Sequence, residues 1–280
     1  AYNLHSIAFC CISTGEFRFP NEAAAQARTD ASGLCPANPG PRHQRKFFQV
    51  ASGHWQAAPH APVQEGPLAF WGSWEQATRY TPLPASSDKA APVAAHQPVL
   101  SGRARHGKDA VRALPTHPFV FDAPFLFLPG KDSPNRMLSR LEPGDIVVFG
   151  SHLHGQFALD TVFVVNGRTP VGDTQVSQLF RRVNDSCFDD TTLPVYRGAC
   201  LNQPLGALVS FFPAKPATAG EIAAFNRPTL TPVGALEDLV QPRLPHNFRG
   251  RETLLPAGAV WDEICRQVMA QGCVLGLSAS

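Results

Sequence analysis

The chain has 280 residues, which is enough to bury a substantial core as one large domain or two small ones. Hydrophobic residues make up 44% and charged residues 16%, and the formal charge is +2, so no overall electrostatic field marks nucleic acid or a membrane as the partner. The 27 prolines argue against a helix bundle and favour an irregular, strand-rich fold.

Targeting and redox signals predict a reduced, cytoplasmic protein. The N-terminal stretch "AYNLHSIAFCCIS" is apolar but lacks a basic segment, and Glu16 and Arg18 soon interrupt it. No window approaches the roughly 18 apolar residues of a membrane span, so no membrane partner is expected. The seven cysteines include no C-x-x-C pair, which is typical of free thiols rather than of a disulfide framework.

The first third of the chain predicts strands around one helix. "HSIAFCCIS" (5–13) reads as a buried strand, and an alanine-rich helix follows between Asn21 and Gly33, which suit its two caps. "RKFFQVASG" (45–53) predicts a short strand, and "PLAFWGSWEQATRY" (67–80) an aromatic strand.

The middle third contains the longest irregular stretch and the clearest hairpin. Residues 81–114 are rich in Pro, Ala, Ser and basic side chains without periodicity, which predicts a long surface loop. A compact aromatic segment and a short helix (133–141) follow. Two apolar runs, 145–149 and 157–165, then flank a short Gly/His connection and predict an antiparallel hairpin.

The last third mixes short strands with three predicted helices. The clearest helix is 259–272, because Val260, Ile264 and Val268 form one apolar stripe. The remaining predicted elements are helices at 174–184 and 218–228 and strands at 193–199, 205–214 and 273–277. The whole predicts a single α+β domain over 1–280, with a mostly antiparallel, barrel-like sheet, a few peripheral helices and long Pro-rich loops.

The hairpin region carries a family resemblance. "MLSRLEPGDIVVFGSHLHGQFALDTVFVVNGRTPVGDT" (137–174) resembles the centre of PUA-like barrels of the EVE and ASCH type, and "FWGSW" (70–74) suits the tryptophans near their base pocket. "FCCISTGEFRFPN", "FWGSWE" and "FALDTVFVV" together resemble a bacterial family associated with nucleotide modification. The resemblance places a PUA-like element at about 67–174, and its matching residues are Gly144, Asp145, Phe149, Ser151, Asp160, Val164, Val165 and Asp173.

This resemblance implies recognition or processing of a modified nucleobase or nucleotide in nucleic acid. A base held out of its stack is gripped by aromatic faces and by a few hydrogen bonds to its edge. The resemblance assigns the faces to Trp71, Trp74 and Tyr80, and the edge contacts to Ser151 and Asp160. Basic residues of the long loop would meet phosphates, namely Arg103, Arg105, Lys108 and Arg112.

A second resemblance points to an enzyme. "LPVYRGA", "VSFFPA" and "RETLLPAG" resemble the three signature strands of ADP-ribosyltransferases, with an arginine for the phosphate of NAD, a serine for the nicotinamide pocket and a glutamate for the ribosyl cation. These would be Arg197, Ser210 and Glu252. Arg197 and Ser210 are closer in sequence than the family's usual spacing, and the family's "STS" triplet does not occur.

Other polar clusters fit either a site or plain structure. Ser13, Glu16 and Arg18 follow a buried strand and precede a helix N-terminus, where anions and ligands often bind, although turn chemistry explains the same residues. His152 and His154 share a strand face, but polar turn residues are the commoner reading and no metal is expected. A small-molecule binding protein with an aromatic pocket is the third hypothesis. Outside the NAD-dependent alternative no cofactor is expected, and whether the protein catalyses a reaction stays open.

Overall fold

The structure is a computed structural model. It describes residues 7–11, 34–35, 45–74, 78–84, 91–99, 118–121, 125–129, 138, 140–153, 155–170, 176, 178–183, 194–217, 224–237, 239–240, 249–251 and 256–280.

The described residues are mostly in strands. In chain order the strands are β1 (Ile7–Cys11), β2 (Leu34–Cys35), β3 (Arg45–Gln56), β4 (Gln64–Ser73), β5 (Thr78–Pro82), β6 (Ala94–Pro98), β7 (Leu126–Phe127), β8 (Ile146–Leu153), β9 (Gln156–Pro170), β10 (Pro194–Gly198), β11 (Phe212–Pro216), β12 (Thr229–Leu230), β13 (Arg249–Arg251) and β14 (Val274–Ala279). The helices are α1 (Gln178–Val183), α2 (Ala257–Ala270) and a 3-10 turn at Gly234–Leu236.

The first sheet contains the predicted hairpin. Its order is β13-β1-β8-β9-β10-β7, and β12 also pairs with β9. β8 and β9 are adjacent and antiparallel, with Ile146 opposite Val164 and Leu153 opposite Gln156, which confirms the hairpin predicted from the two apolar runs. β1 pairs with β8 in parallel. Both faces of the hairpin are buried, which explains why its strands read as continuous apolar runs rather than as alternating patterns.

The second sheet closes on itself. Its order is β14-β11-β4-β3-β6-β5-β2, and β14 also pairs with β3. The four strands β14, β11, β4 and β3 therefore form a closed antiparallel barrel. This confirms the α+β class with a barrel-like sheet. The predicted hairpin belongs to the first sheet rather than to this ring.

Two apolar clusters fill the molecule. The helix-side core holds Trp71 of β4, alternate residues of β9 and the buried stripe of α2, including Val260, Ile264 and Val268. The aromatic core lies between the sheets and is rich in phenylalanine, including Phe48, Phe70, Phe119, Phe121, Phe127, Phe149, Phe163 and Phe212. The two sheets meet where Phe211 and Val162 exchange main-chain hydrogen bonds of 2.8 and 2.9 Å.

The described C-terminal elements follow the sequence pattern closely. α2 has 14 residues and its apolar stripe faces the helix-side core, and strand β14 follows directly, as predicted. α1 lies inside the predicted helix at 174–184. Among the described helices, none is long and apolar enough to cross a membrane.

Two predictions differ from the structure where strand pairing overrides local composition. Residues Ala94–Pro98 lie inside the predicted 81–114 loop but form strand β6. This strand pairs with β5 in antiparallel orientation, with Thr78 opposite Pro98. Residues 224–228, the described part of the helix predicted at 218–228, are not helical: Pro228 O accepts a hydrogen bond from Leu159 N of β9, and strand β12, which pairs with β9, follows directly. The helix predicted between Asn21 and Gly33 lies outside the described residues.

Candidate functional site

The site is built around Asp160, an acidic residue in the middle of a buried strand. Asp160 is 1% exposed and lies at a β-bulge: Phe149 of β8 is opposite Thr161, whereas the next residue, Gly150, is opposite Leu159. Asp160 is therefore the extra residue of the hairpin. A bulge changes the direction of the side chains beside it. The carboxylate of Asp160 can therefore point in a different direction from the apolar side chains that alternate along β9.

Gly150 makes the bulge possible. A Cβ atom at this position would lie 2.3 Å from the carbonyl oxygen of Ala158 and 2.6 Å from the ring of Phe157. The ring therefore occupies the space that any larger residue would need. Because Phe157 and Gly150 fit together in this way, the position of Asp160 is fixed by packing on the neighbouring strand.

Arg45 brings a guanidinium to Asp160 from the other sheet. It is the first residue of β3, it is completely buried, and its Nε donates to Oδ2 of Asp160. The ion pair therefore links the barrel-forming sheet to the hairpin. Buried charges of this kind are tolerated when they are paired and hydrogen-bonded.

Arg227 approaches Asp160 from the segment just before β12, the strand that pairs with the start of β9. Its Nη1 donates to Asp160 Oδ1 at 2.9 Å and its Nη2 to Ser151 Oγ at 2.8 Å. The main chain beside it is held by a hydrogen bond of 2.8 Å from Leu159 N to Pro228 O. The structure thus joins Ser151 and Asp160, the two residues predicted to contact a base edge, through a guanidinium.

Helix α2 fixes the segment that follows Arg227. The side chain of Gln271 accepts from Thr229 N and donates to Thr229 O, both at 2.9 Å. Gln267 makes the same two contacts with the main chain of Thr231, at 2.8 and 3.1 Å. These side-chain amides hold the main chain at both ends of the segment 229–231, so the strand that directly follows Arg227 and Pro228 is anchored to the helix.

The two terminal nitrogens of Arg45, which we call its outer fork, take no part in the ion pair with Asp160. Its Nη1 and Nη2 atoms are both buried, and neither has a hydrogen-bond partner among the residues that the structure describes. A guanidinium presents these two nitrogens as parallel donors that match a carboxylate or a phosphate. We call Arg45, Ser151, Asp160 and Arg227 the charge cluster.

The predicted aromatic pocket is not assembled by the described residues. Trp71 is 2% exposed in the helix-side core, where its Nε1 donates to Phe225 O at 2.7 Å, and Trp74 is 1% exposed in the aromatic core. Tyr80 is half-buried on β5, opposite His96. Of these three side chains, Trp71 contacts the segment that carries Arg227.

The predicted NAD-binding residues that the structure describes, Arg197 and Ser210, pack against strand β9 of the hairpin. Ser210 is buried, and its hydroxyl accepts from Val164 N at 3.0 Å and donates to Val164 O at 3.3 Å. A Cβ at Gly198 would lie 2.6 Å from that hydroxyl, whereas a Cβ at Gly167 would lie 3.7 Å from Nη2 of Arg197. The side chains of Arg197 and Ser210 are thus each packed against a different part of the hairpin. Glu252 lies outside the described residues.

The other residues that the sequence analysis names as candidate contacts lie outside the described residues. They are Ser13, Glu16, Arg18, Arg103, Arg105, Lys108, Arg112 and His154. His152 is half-buried near the tip of the hairpin, with its ring 5.8 Å from that of Phe157. Among the described residues, no group of three or more His, Cys, Asp or Glu side chains could hold a metal ion.

Sequence reasoning missed Arg45 and Arg227. The signal that could have found them is Asp160 itself, because a carboxylate inside an apolar run requires a cationic partner. That signal does not say which of the 24 lysines and arginines is the partner, since Arg45 is 115 and Arg227 is 67 positions away.

A cavity of about 200 Å³ opens elsewhere, beside α2, and is lined by Gln56, His60, Val209, Trp261 and residues 201–207 in part. His60 has a left-handed backbone with φ of 63°, and its ring lies 6.5 Å from that of Trp261. Of the predicted ligand-binding residues that the structure describes, none lines this cavity. The charge cluster, by contrast, contains Ser151 and Asp160, two of the residues that the sequence analysis names as candidate ligand contacts.

The chain was compared with known proteins, and no protein-family model, no curated protein and no solved structure matches it.

Proposed function

We propose that the protein binds a nucleotide and holds its phosphate group at the charge cluster. The observation that carries this proposal is the buried outer fork of Arg45, whose two nitrogens have no hydrogen-bond partner among the described residues. Leaving buried donors unpaired costs about 1–3 kcal/mol, and more when the group is charged. A ligand that accepts from both nitrogens would recover this free energy.

The charge of the cluster favours an anion. Arg45 and Arg227 supply two positive charges and Asp160 one negative charge, so one positive charge is left within this trio. An oxyanion that binds beside these guanidinium groups would balance charge and accept hydrogen bonds from them. Phosphate and carboxylate match the planar fork of arginine equally well in geometry.

The surroundings favour a nucleotide over a simple carboxylate. Phe225 lies two residues before Arg227, its ring is 5.6 Å from that of Phe47, and the Nζ atom of Lys215 lies 5.3 Å from its centroid. Aromatic side chains and a further cation therefore meet on the segment that leads to Arg227, and these are the kinds of partner that a flat ring linked to a phosphate would need. The resemblance of the hairpin to PUA-like barrels supports the same ligand class.

Binding requires a local opening of the structure, because Arg45 is completely buried. We therefore expect slow association and increased protection of amide hydrogens around Arg227 once the ligand is bound.

The test compares ligands that differ by the phosphate alone. Isothermal titration with nucleoside 5′-monophosphates, the matching nucleosides and inorganic phosphate should give the tightest binding to the monophosphates. Arg45→Met should weaken monophosphate binding by about 10- to 100-fold, the equivalent of one or two hydrogen bonds to a charged group. The matched control is Arg266→Met, which changes an arginine whose side chain is 59% exposed.

Equal affinity for nucleosides and nucleotides, or unchanged affinity in Arg45→Met, would contradict the proposal. Oligonucleotides with and without a terminal phosphate extend the test to nucleic acid. Binding of oligonucleotides that depends on the terminal phosphate would place a strand end in the site, and its absence would restrict the function to free nucleotides.

A further inference from the structure

Ser278, His54 and Glu65 lie side by side on three neighbouring strands of the barrel, and we call them the Ser278 row. Ser278 of β14 is opposite His54 of β3, and His54 is opposite Glu65 of β4. The Ser278 hydroxyl lies 2.8 Å from His54 Nδ1, which is hydrogen-bonding distance, and His54 Nε2 lies 3.9 Å from a carboxylate oxygen of Glu65. Each end of the imidazole thus faces a different partner.

The strands hold Ser278 and His54 together by irregular pairing. β14 skips one residue against β3 between Gly276 and Ser278, which is the pattern of a β-bulge. The end of β14 is fixed by a hydrogen bond of 2.9 Å from Ser280 N to Ser52 O. Side chains on paired strands keep their geometry better than side chains on loops, so this contact is a stable feature of the barrel.

Gly53 allows the close approach of the two strands. A Cβ at this position would lie 2.7 Å from the carbonyl oxygen of Ser278 and 2.6 Å from the side chain of Leu68. A larger residue would push β14 away from β3 and separate the hydroxyl from the imidazole. The glycine next to His54 is therefore part of what positions Ser278.

We propose that Ser278 is an acyl-accepting nucleophile, with His54 as its general base and Glu65 as the residue that orients the imidazole. A nucleophile bonded to a base, and a base oriented by a third group, is the arrangement that activates a serine hydroxyl. This activity does not depend on nucleotide binding, because none of the three residues belongs to the charge cluster.

The reaction balances without a cofactor. Ser278 Oγ bonds to the carbonyl carbon of an ester while its proton passes to Nδ1 of His54. The bond from carbon to the leaving oxygen then breaks, and the imidazolium returns the proton to that oxygen, which leaves as an alcohol. Water repeats the sequence on the acyl-serine and releases a carboxylic acid. Glu65, on the Nε2 side, favours the imidazole tautomer that keeps Nδ1 free to accept the proton.

The solvent exposure of the Ser278 row determines how fast we expect the ester to react. The side chains of His54 and Glu65 are 43% and 66% exposed. Solvent weakens electrostatic stabilisation of the developing charges, which is strongest where water is excluded. We therefore expect acylation of small activated esters followed by slow hydrolysis, so that acylated protein accumulates.

The experiment uses the full chain with p-nitrophenyl acetate. Release of p-nitrophenolate gives the rate, and peptide mass spectrometry locates the acetyl group. We expect acetylation at Ser278, its loss in Ser278→Ala, and a rate at least about 100-fold lower in His54→Gln, the usual contribution of a general base. Ser280→Ala is the matched control on the same strand end and should react at the wild-type rate.

Four outcomes would overturn the proposal, and the first three concern where and how the ester reacts. Ser278 could be acetylated no faster than Ser280, His54→Gln could react like wild type, or ester cleavage could persist in Ser278→Ala and vanish in His54→Gln. The last result would mean that the imidazole reacts alone. Circular dichroism of each variant checks that the barrel is intact, and an intact but inactive wild-type protein also rejects the idea.

Discussion

The charge cluster and the Ser278 row place similar polar side chains in opposite environments. Arg45 and Asp160 are at most 1% exposed and join two sheets, whereas His54 and Glu65 lie on the open face of one sheet. Coulomb interactions are several times stronger in the interior than beside solvent, and unpaired partners cost correspondingly more. The first region should therefore dominate stability, and the second should matter chiefly for reactivity.

The largest expected effect tests the buried side of this comparison. Asp160→Asn removes the carboxylate that pairs with both Arg45 and Arg227, so each of these buried guanidinium groups loses its ion pair with residue 160. Breaking a buried pair in this way costs about 3–5 kcal/mol. Urea denaturation should therefore show a free energy of unfolding lower by that amount. A loss below about 1 kcal/mol would mean that the cluster is open to solvent.

The next effect tests how the carboxylate is positioned. Gly150→Ala places a Cβ atom 2.3 Å from the carbonyl oxygen of Ala158 and 2.6 Å from the ring of Phe157. Overpacking of this kind costs about 1–3 kcal/mol, and the bulge at Asp160 must shift to relieve it. Thermal unfolding of the variant should show the loss. The control is Gly258→Ala in α2, where a Cβ meets no atom within 4 Å and where alanine should stabilise the helix slightly. Equal stability of the two variants would contradict the role of Gly150.

The sequence predicted the strands of the described sheets better than their arrangement. The apolar runs of β8 and β9 specify strands buried on both faces, and the stripe of α2 specifies a helix on a core, because each pattern is local. The closed barrel depends on β3, β4, β11 and β14, whose paired residues are up to 226 positions apart, as for Gly53 and Ala279, so no local pattern reveals it. β6 was missed because its pairing with β5 outweighs its Pro- and Ala-rich surroundings.

The candidate site was predicted in part for the same reason. Ser151 and Asp160 are polar residues within apolar strands, and such residues stand out in a sequence. Arg45 and Arg227 do not, since an arginine at the start of a strand or beside a proline is ordinary on a surface. Trp71 and Trp74 are three residues apart on or just after β4, and the aromatic composition alone could not show that they enter different cores.

A smaller effect concerns a second buried polar group. Burial, and then the nearby charge of Lys46, lower the pKa of His96 from 6.5 to about 3. Between these values the unfolded chain binds a proton that the folded protein does not, so stability is complete above pH 6.5 and falls as the pH decreases. The slope should approach about 1 kcal/mol per pH unit between pH 6 and 4. His96→Gln should flatten it in urea denaturation across that range, and an unchanged slope would assign the acid sensitivity to other groups.

The smallest expected effect tests the exposed side of the comparison. Glu65→Gln removes the charge that faces His54 Nε2 at 3.9 Å, but both side chains are open to solvent. Exposed ion pairs contribute about 0–1 kcal/mol because water and salt screen them, so the free energy of unfolding should change by less than about 0.5 kcal/mol in urea denaturation. The acylation rate should nevertheless decrease, since the carboxylate orients the base rather than holding the fold together. A loss of stability comparable to that of Asp160→Asn would show that the row is as strongly coupled as the buried cluster, and the contrast between the two regions would then be wrong.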